Sequence, residues 1–134
     1  MYLSRTIAFA AMTLFYLHWN EKELKERVAS LKERGFKIIP HWNTESKPDW
    51  GDTLPDIFII SLDRLPSHGR QYAQWLWEAK KRQHIPILFL DGLPEKVEAT
   101  KAKFPRAIFC STADLPVTIR RLPKEKDLDR TEKR

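Results

Sequence analysis

Hydrophobic positions along the chain form two kinds of pattern that alternate with each other. Largely apolar runs of strand length occur at residues 13–17 (TLFYL), 36–40 (FKIIP), 56–62 (DIFIISL), 85–90 (IPILFL) and 107–110 (AIFC). Between them, segments with helical spacing or helix-start signals occur at residues 21–34, 69–83, 93–104 and 113–122. Runs that are apolar throughout are typical of strands buried on both faces, so the pattern predicts a parallel sheet covered by helices.

The first helical segment, EKELKERVASLKER, carries the clearest local signals. Its apolar residues recur at helical spacing and predict one buried face: Leu24, Val28 and Leu31. Asn20 can cap the start, and Gly35 follows as a left-handed stop. We place Glu23 and Arg27 on the outer face, as one of two favourable pairs four residues apart.

Five strands in about 120 residues suit a flavodoxin-like α/β fold. We therefore predict a doubly wound parallel sheet of order 2-1-3-4-5 with helices on both faces. Residues 43–54 are rich in turn formers, so the second helix is expected to be short or missing. In such sheets a site lies at the carboxyl ends of strands 1 and 3.

Composition limits the class of protein but does not indicate a function. The 134 residues suit one domain, which we place at residues 12–122, with an extension at 1–11 and a charged tail at 123–134. The net charge of +6 is spread over several segments, so nucleic-acid binding is a third and less favoured hypothesis. The single cysteine, Cys110, excludes an intrachain disulfide and is expected to be a packed thiol. The apolar start, residues 1–17, has some features of a secretion signal and is too short to span a membrane. We prefer a cytoplasmic protein in which residues 1–11 are an extension.

The stretch PDIFIISLDRLPSHG and the segments after it resemble a response-regulator receiver domain. The resemblance covers residues 13–122 and also uses HIPILFLDG, IFC and the last amphipathic helix. In that family the third strand starts with Pro-Asp and is followed by a loop with Pro and Gly. Here Pro55 and Asp56 match the start, and Pro66 and Gly69 match the loop.

The resemblance implies a phosphorylation site that this chain does not carry. Receivers hold Mg²⁺ with an acidic pair after strand 1, and this chain has His18 and Trp19 there. Magnesium prefers oxygen ligands, so this pair is a poor replacement. The acceptor position at the end of strand 3 is best matched by Ser61, with Asp63 two residues later.

The remaining family positions are also altered. The family has a Ser or Thr at the end of strand 4, where this chain has Asp91, and no lysine follows the last strand. We expect a receiver-like domain that is not an enzyme, carries no cofactor or metal, and performs no aspartyl phosphorylation. The leading hypothesis is a signalling or interaction domain that binds a protein partner or a second copy of itself.

The tripeptide HWN occurs twice, at residues 18–20 and 41–43, each after a predicted strand. If both pairs of His and Trp lie at one edge of the sheet, they could bind a metal or stack a flat ligand. Hydrogen-bonding histidines at strand ends are the simpler interpretation. The second hypothesis is accordingly a small-ligand or anion site in the crevice formed by His18, Trp19, Ser61, Asp63 and Asp91.

Residues 67–70 (SHGR) open the predicted helix 69–83 and offer an anion site. Ser67 could cap the helix, Gly69 allows close approach, and His68, Arg70 and free helical N–H groups would face an anion. An ordinary capped helix start is the alternative. No glycine-rich phosphate loop occurs, since the chain has four glycines in all.

Trp75 and Trp77 lie two residues apart on the same predicted helix and cannot share one buried face. We place Tyr72, Leu76 and Ala79 on the inner face, which leaves at least one tryptophan exposed. Exposed Trp is enriched at protein interfaces, so this pair is a possible interface. The alternative is a Trp that lies flat on its neighbours. His84 lies at the other end of the sheet and is taken as structural.

Overall fold

Strands and helices alternate along the computed structural model, which describes residues 12–43, 49–63 and 66–122. The predicted extension 1–11 and tail 123–134 lie outside the described residues. The strands are β1 (Thr13–Leu17), β2 (Lys37–His41), β3 (Ile57–Ser61), β4 (Ile87–Leu90) and β5 (Ile108–Cys110). The helices are α1 (Glu21–Glu33), α2 (Pro66–Glu78), α3 (Pro94–Lys103) and α4 (Leu115–Arg121), with a 3-10 turn at Lys80–Arg82.

The five strands form one parallel sheet in the order β2-β1-β3-β4-β5, which confirms the predicted topology. β1 pairs with β2 on one side and with β3 on the other. Among residues 42–43 and 49–56, the described part of the β2–β3 connection, there is no helix. The sequence predicts a short or missing helix in this connection, and the described part of the connection is irregular.

Two apolar cores lie on opposite faces of the sheet, as expected for strands buried on both sides. Helices α1 and α4 cover one face, where Leu24, Val28 and Ile119 pack on Leu14 and Tyr16. Helix α2 covers the other face, where α3 also packs. The buried side chains of α2 share this core with six strand residues: Phe15, Leu17, Phe58, Ile60, Ile87 and Phe89.

Helix α1 follows its sequence signals closely. The side-chain oxygen of Asn20 accepts a hydrogen bond from the Glu23 N–H, and Gly35 has φ +97° just past the helix. Leu24, Val28 and Leu31 are buried, as predicted. The first turn carries acidic residues and the last turn a lysine, which complements the helix dipole.

Helix α2 differs from its predicted bounds of 69–83. It begins at Pro66, because proline is compatible with a first helical turn, and it ends at Glu78, because Ala79 adopts an extended conformation. Its buried face consists of Gly69, Ala73 and Leu76. Tyr72 packs against this core while it stays partly exposed. The prediction that Ala79 lies on this face was wrong, because Ala79 follows the helix in an extended conformation.

Gly69 is explained by packing between α2 and β3. A Cβ atom at this position would lie 2.9 Å from Ile60 Cγ2 and 3.4 Å from the Ser61 carbonyl oxygen. Only glycine lets the helix approach the strand this closely. No helix among the described residues is long and apolar enough to cross a membrane.

Candidate functional site

The carboxyl ends of β1, β3 and β4 open into a crevice whose centre is the guanidinium group of Arg27. Arg27 lies on α1 and reaches over the end of β1. Its Nη2 is 3.7 Å from Asp63 Oδ2, and its Nη1 is 4.0 Å from Asp91 Oδ2. Two of the predicted crevice residues are thus brought together by a cation that the sequence pattern places on the outer face of the helix.

His18 occupies a fully buried position beside Arg27. Its Nε2 is 2.7 Å from Glu23 Oε1, and its Nδ1 is 3.4 Å from Arg27 Nη1. A neutral imidazole with its proton on Nε2 donates to Glu23 and accepts from Arg27, which satisfies both contacts. Burial lowers the pKa of His18, the nearby Arg27 lowers it further, and the hydrogen bond to Glu23 opposes both effects.

Asp91 is held by the segment that follows β5. Its Oδ1 accepts the Thr112 N–H at 2.9 Å, and its Oδ2 accepts a short hydrogen bond from the Thr112 hydroxyl. Asp91 and Gly92 both have positive φ, at +59° and +97°. This turn lets the Gly92 N–H donate to Asp63 Oδ1 at 3.2 Å. Both carboxylates therefore already have protein partners.

Ser61, the best match to the phosphoacceptor position, is fully buried at the end of β3. Its hydroxyl accepts a hydrogen bond from the Asp63 N–H at 3.3 Å and so stabilises the turn between the two residues. The exposed acidic side chain in this loop is Asp63, which is turned toward Arg27. The guanidinium group of Arg27 therefore contacts both carboxylates of the crevice, those of Asp63 and Asp91.

The two HWN tripeptides do not bring both His and both Trp side chains together, and the two histidines make hydrogen-bonding contacts, as in the simpler interpretation. His18 faces α1, whereas Trp19 faces α2 and contacts the rings of His41, His68 and Tyr72. Neighbouring residues at a strand end point to opposite sides of the sheet, which separates His18 from its own neighbour and from His41. Among the described residues no group of three or more His, Cys, Asp or Glu could hold a metal ion.

Trp42 is separate from this aromatic group and is exposed to solvent. His41 is buried in β2, where its ring stacks on Phe15 and its Nε2 lies 3.3 Å from the Tyr72 hydroxyl. The two tryptophans of the HWN tripeptides are thus not gathered into one surface for a flat ligand.

The segment 67–70 lies inside the first turns of α2. The prediction of Ser67 as the cap was wrong, because the helix already begins at Pro66. The Ser67 hydroxyl instead accepts from Arg70 Nη2 at 3.3 Å. Arg70 Nη1 and the Trp19 indole Nε1 are buried atoms with no hydrogen-bond partner in the described part of the chain.

Trp75 and Trp77 have different surroundings, as their spacing predicts. Trp77 packs against Phe104 and donates its indole N–H to the Ile85 carbonyl oxygen at 3.0 Å. Trp75 is 41% exposed. It lies 6.0 Å from the Trp50 ring, and the Arg82 guanidinium stacks over it at 4.5 Å. We call Trp50, Trp75 and Arg82 the aromatic surface.

Arg82 supports this surface from below. Its Nε donates to the Leu76 carbonyl oxygen at 2.8 Å and its Nη2 to the Trp75 carbonyl oxygen at 3.0 Å. These bonds close the end of α2 and fix the guanidinium beside both indole rings, 4.5 Å from the Trp75 centroid and 5.9 Å from the Trp50 centroid. The aromatic surface is therefore preorganised by hydrogen bonds to the backbone.

Cys110 lies half-buried at the end of the edge strand β5 rather than in the centre of a core. Burial raises the pKa of its thiol. A raised pKa lowers the fraction of thiolate, so the side chain lacks the activation that a nucleophilic cysteine requires.

Sequence reasoning missed three residues of the crevice: Tyr16, Arg27 and Thr112. No sequence pattern indicated that Tyr16 or Thr112 would lie at the crevice. Arg27 gave a signal that could have been used, since it lies on α1 only one position before the buried Val28. A long side chain at the edge of a buried stripe can reach the end of the neighbouring strand.

The sequence matches no protein-family model and no curated protein. Its fold, however, matches solved structures of receiver domains. The signal receiver domain of a histidine kinase from Syntrophus aciditrophicus superposes with a TM-score of 0.64 at 17% identity, over 83% of this chain and 89% of that one.

Two further structures support the same assignment. The chemotaxis protein CheY4 of Vibrio cholerae superposes with a TM-score of 0.63 at 13% identity, over 84% of this chain and 100% of that one. The bacteriophytochrome response regulator RtBRR gives 0.62 at 10% identity, over 88% of this chain and 87% of that one. At these identities the likeness concerns the fold alone, and the chain has the flavodoxin-like fold of response-regulator receiver domains.

Proposed function

We propose that this chain is a signalling domain that acts by binding a protein and does not use aspartyl phosphorylation. Two features support the proposal. The crevice that would hold magnesium and phosphate contains Arg27, and the aromatic surface on α2 exposes a preorganised tryptophan.

The electrostatics of the crevice argue against magnesium binding. A divalent cation needs several oxygen ligands with negative charge. After β1 the chain has the indole of Trp19 and the imidazole of His18, which is hydrogen-bonded to Glu23. The guanidinium of Arg27 lies within 4.0 Å of both Asp63 and Asp91. A cation entering the crevice would meet this fixed positive charge. Without the metal, the negative charge on a transferring phosphoryl group is not neutralised.

Phosphoryl transfer can be tested directly with acetyl phosphate. The full chain is incubated with acetyl phosphate and Mg²⁺, and its intact mass is measured. We expect no gain of a phosphoryl group. An adduct that is lost in Asp63→Asn would show that Asp63 accepts phosphate from its displaced position, and it would overturn this part of the proposal.

The aromatic surface is the observation that carries the protein-binding function. Exposed Trp and stacked Arg are the residue types most enriched among binding hot spots. Trp75 is held by its neighbours before any partner arrives, so little side-chain entropy is lost on binding. Lys80 and Lys81 are exposed beside Arg82, which favours a partner whose apolar contact is surrounded by acidic groups.

Trp75→Ala tests this surface, with Trp42→Ala as the matched control. Both tryptophans are 41% exposed, but Trp42 lies outside the aromatic surface. Sedimentation at high micromolar concentration shows whether the partner is a second copy. If the chain is monomeric, affinity capture with each variant shows whether another protein is retained. We expect Trp75→Ala to abolish the association and Trp42→Ala to preserve it.

Equal behaviour of the two variants would contradict the assignment of this surface. The assignment would also be contradicted if the chain is monomeric and the wild type retains no protein that Trp75→Ala fails to retain. Trp75→Ala removes a partly exposed side chain, so the circular dichroism spectrum and the unfolding midpoint of the variant are measured as a check of folding.

A second candidate function is anion binding at the start of α2. It is favoured by two buried donor atoms that lack partners in the described residues, Arg70 Nη1 and Trp19 Nε1. An anion there would also meet the free N–H groups of a helix N-terminus. Titration with inorganic phosphate, followed by tryptophan fluorescence, tests this function. We expect a saturable change that is lost in Arg70→Gln, and no change in the wild type would exclude it.

A further inference from the structure

A pocket lies on the face of the sheet opposite the aromatic surface, between α1 and α4. Its volume is about 240 Å³, and Tyr16 is one of the residues that line it. Leu31, Leu115 and Pro116 give it largely apolar walls, whereas Arg27 and Thr112 border its polar end. This pocket adjoins the crevice between Asp63 and Asp91, with which it shares Arg27 and Thr112, and it is separate from the segment 67–70.

The hydroxyl group of Tyr16 is the polar feature of this pocket that lacks a partner. Tyr16 is fully buried, and its hydroxyl oxygen has no hydrogen-bond partner among the described residues. Burial raises the pKa of the phenol and outweighs the opposing effects of the neighbouring Arg27 and Thr112 side chains, so the phenol is protonated at neutral pH and can donate a hydrogen bond. A buried hydroxyl without a partner is uncommon and costs free energy, so it points to a missing acceptor.

Arg27 supplies positive charge at the same end of the pocket. Its contacts to Asp63 at 3.7 Å and to Asp91 at 4.0 Å are longer than close ion pairs. The guanidinium therefore has donor capacity left for an acceptor in the pocket. Glu26 lies exposed at the rim and adds negative charge there, which disfavours a ligand with two or more negative charges.

We propose that this pocket binds a small apolar monocarboxylate whose carboxylate accepts a hydrogen bond from Tyr16 and pairs with Arg27. The size fits a single ring, because a cavity of about 150 Å³ already accepts benzene. Apolar walls with a few convergent polar groups are typical of small-molecule sites. The inference does not depend on the proposed protein-binding function, since it uses a different face of the molecule.

Occupation of this pocket would act on the crevice through two shared residues. Arg27 faces the pocket and both crevice carboxylates, and Thr112 borders the pocket and donates to Asp91. A ligand carboxylate that draws the guanidinium toward itself weakens its attraction to Asp63 and Asp91. The amide groups of Gly92 and Thr112, which donate to these carboxylates, report such a change.

The experiment uses benzoate as the probe and the uncharged amide benzamide as its control. Each is titrated into the ¹⁵N-labelled full chain while amide chemical shifts are followed. For a probe of this size we expect a dissociation constant on the order of 1 mM. Signals from α1, α4, Gly92 and Thr112 should shift and saturate with benzoate, and benzamide should bind at least several-fold more weakly.

Tyr16→Phe should weaken benzoate binding roughly tenfold, because it removes one hydrogen bond to a charged group. Tyr72→Phe makes the same chemical change on the opposite face of the sheet and should leave the affinity unchanged. Ser30→Phe places a ring at the exposed rim of the pocket and should block binding while the chain stays folded.

Four results would overturn the proposal. The first is the absence of saturable shifts with benzoate. The second is an equal affinity of wild type and Tyr16→Phe, and the third is equal binding of benzoate and benzamide. Saturable shifts confined to α2 would also contradict it, because they would place the ligand on the other face.

Discussion

At the scale of single residues, the chain satisfies its buried polar groups unevenly. Two buried hydroxyl groups illustrate the difference. The Thr100 hydroxyl donates to the Lys96 carbonyl oxygen at 2.7 Å, whereas the Tyr16 hydroxyl has no partner in the described residues. A satisfied buried hydroxyl contributes to stability, and an unsatisfied one lowers it. We infer that Tyr16 serves binding rather than folding.

The two hydroxyls lead to opposite predictions for stability. Tyr16→Phe removes an unsatisfied group and should raise the free energy of unfolding by about 1 kcal/mol. Thr100→Val removes a satisfied group with little change of shape and should lower it by about 1 kcal/mol. Urea unfolding of both variants measures the difference. A clear loss of stability in Tyr16→Phe would show that the hydroxyl has a partner in the folded protein.

His18 gives a pH dependence whose sign is set by its surroundings. Its pKa in the folded chain lies below the ordinary value of 6.5, mainly because it is buried. As the pH falls through 6.5, the unfolded chain takes up a proton that the folded chain resists. The contribution of His18 to stability is therefore complete above pH 6.5 and is lost as the pH falls toward the folded pKa.

His18→Gln should remove this component, because glutamine keeps a donor for Glu23 and does not titrate. We expect the unfolding free energy of the wild type to fall more between pH 7.5 and pH 5 than that of the variant. All other residues are the same in both proteins, so the comparison isolates His18. Identical pH profiles would show that His18 has the same pKa folded and unfolded.

At the scale of elements, backbone geometry determines where the crevice side chains meet. Gly92 follows β4 with φ +97°, and a Cβ atom there would lie 2.7 Å from Leu62 Cβ. The loop after β4 therefore packs directly on the loop after β3. This contact brings Asp63 and Asp91 to the same guanidinium, although they are far apart in the chain.

Gly92→Ala should lower the free energy of unfolding by about 2–4 kcal/mol, through left-handed backbone strain and a steric clash. Gly51→Ala is the matched control, because Gly51 also has positive φ, at +76°, but open space around its Cα. The control should lose only about 1 kcal/mol, from backbone strain alone. Equal losses in denaturant unfolding would show that the contact with Leu62 can relax.

The sequence predicted elements well where a local signal exists and less well where tertiary contacts decide. Strand order, the cap at Asn20 and the stop at Gly35 followed from apolar runs and capping residues. The start of α2 did not, because Pro66 and Ser67 both suit a first helical turn. The burial of Gly69 and Ala73, in place of Ala79, depends on how closely the helix approaches β3.

At the scale of the whole molecule, the two faces of the sheet serve separate proposed roles. The α2 face has the aromatic surface, and the α1–α4 face has the pocket that Tyr16 lines. The crevice at the sheet's carboxyl edge lies between them, with Arg27 in contact with its two carboxylates. The sequence indicated that the residues at this crevice differ from those of receiver domains. It could not indicate Arg27 as a neighbour of Asp63 and Asp91, because residues 27, 63 and 91 come together only in the fold.

The most direct test of the proposed function is whether the crevice accepts magnesium and a phosphoryl mimic. Amide spectra of the ¹⁵N-labelled chain are recorded with Mg²⁺ alone and with Mg²⁺ plus beryllofluoride. We predict that the signals of Asp63, Asp91, Gly92 and Thr112 do not move in either case, because Arg27 supplies the positive charge there. Stoichiometric, saturable shifts of these signals with beryllofluoride would contradict the central claim and identify a working phosphoacceptor site.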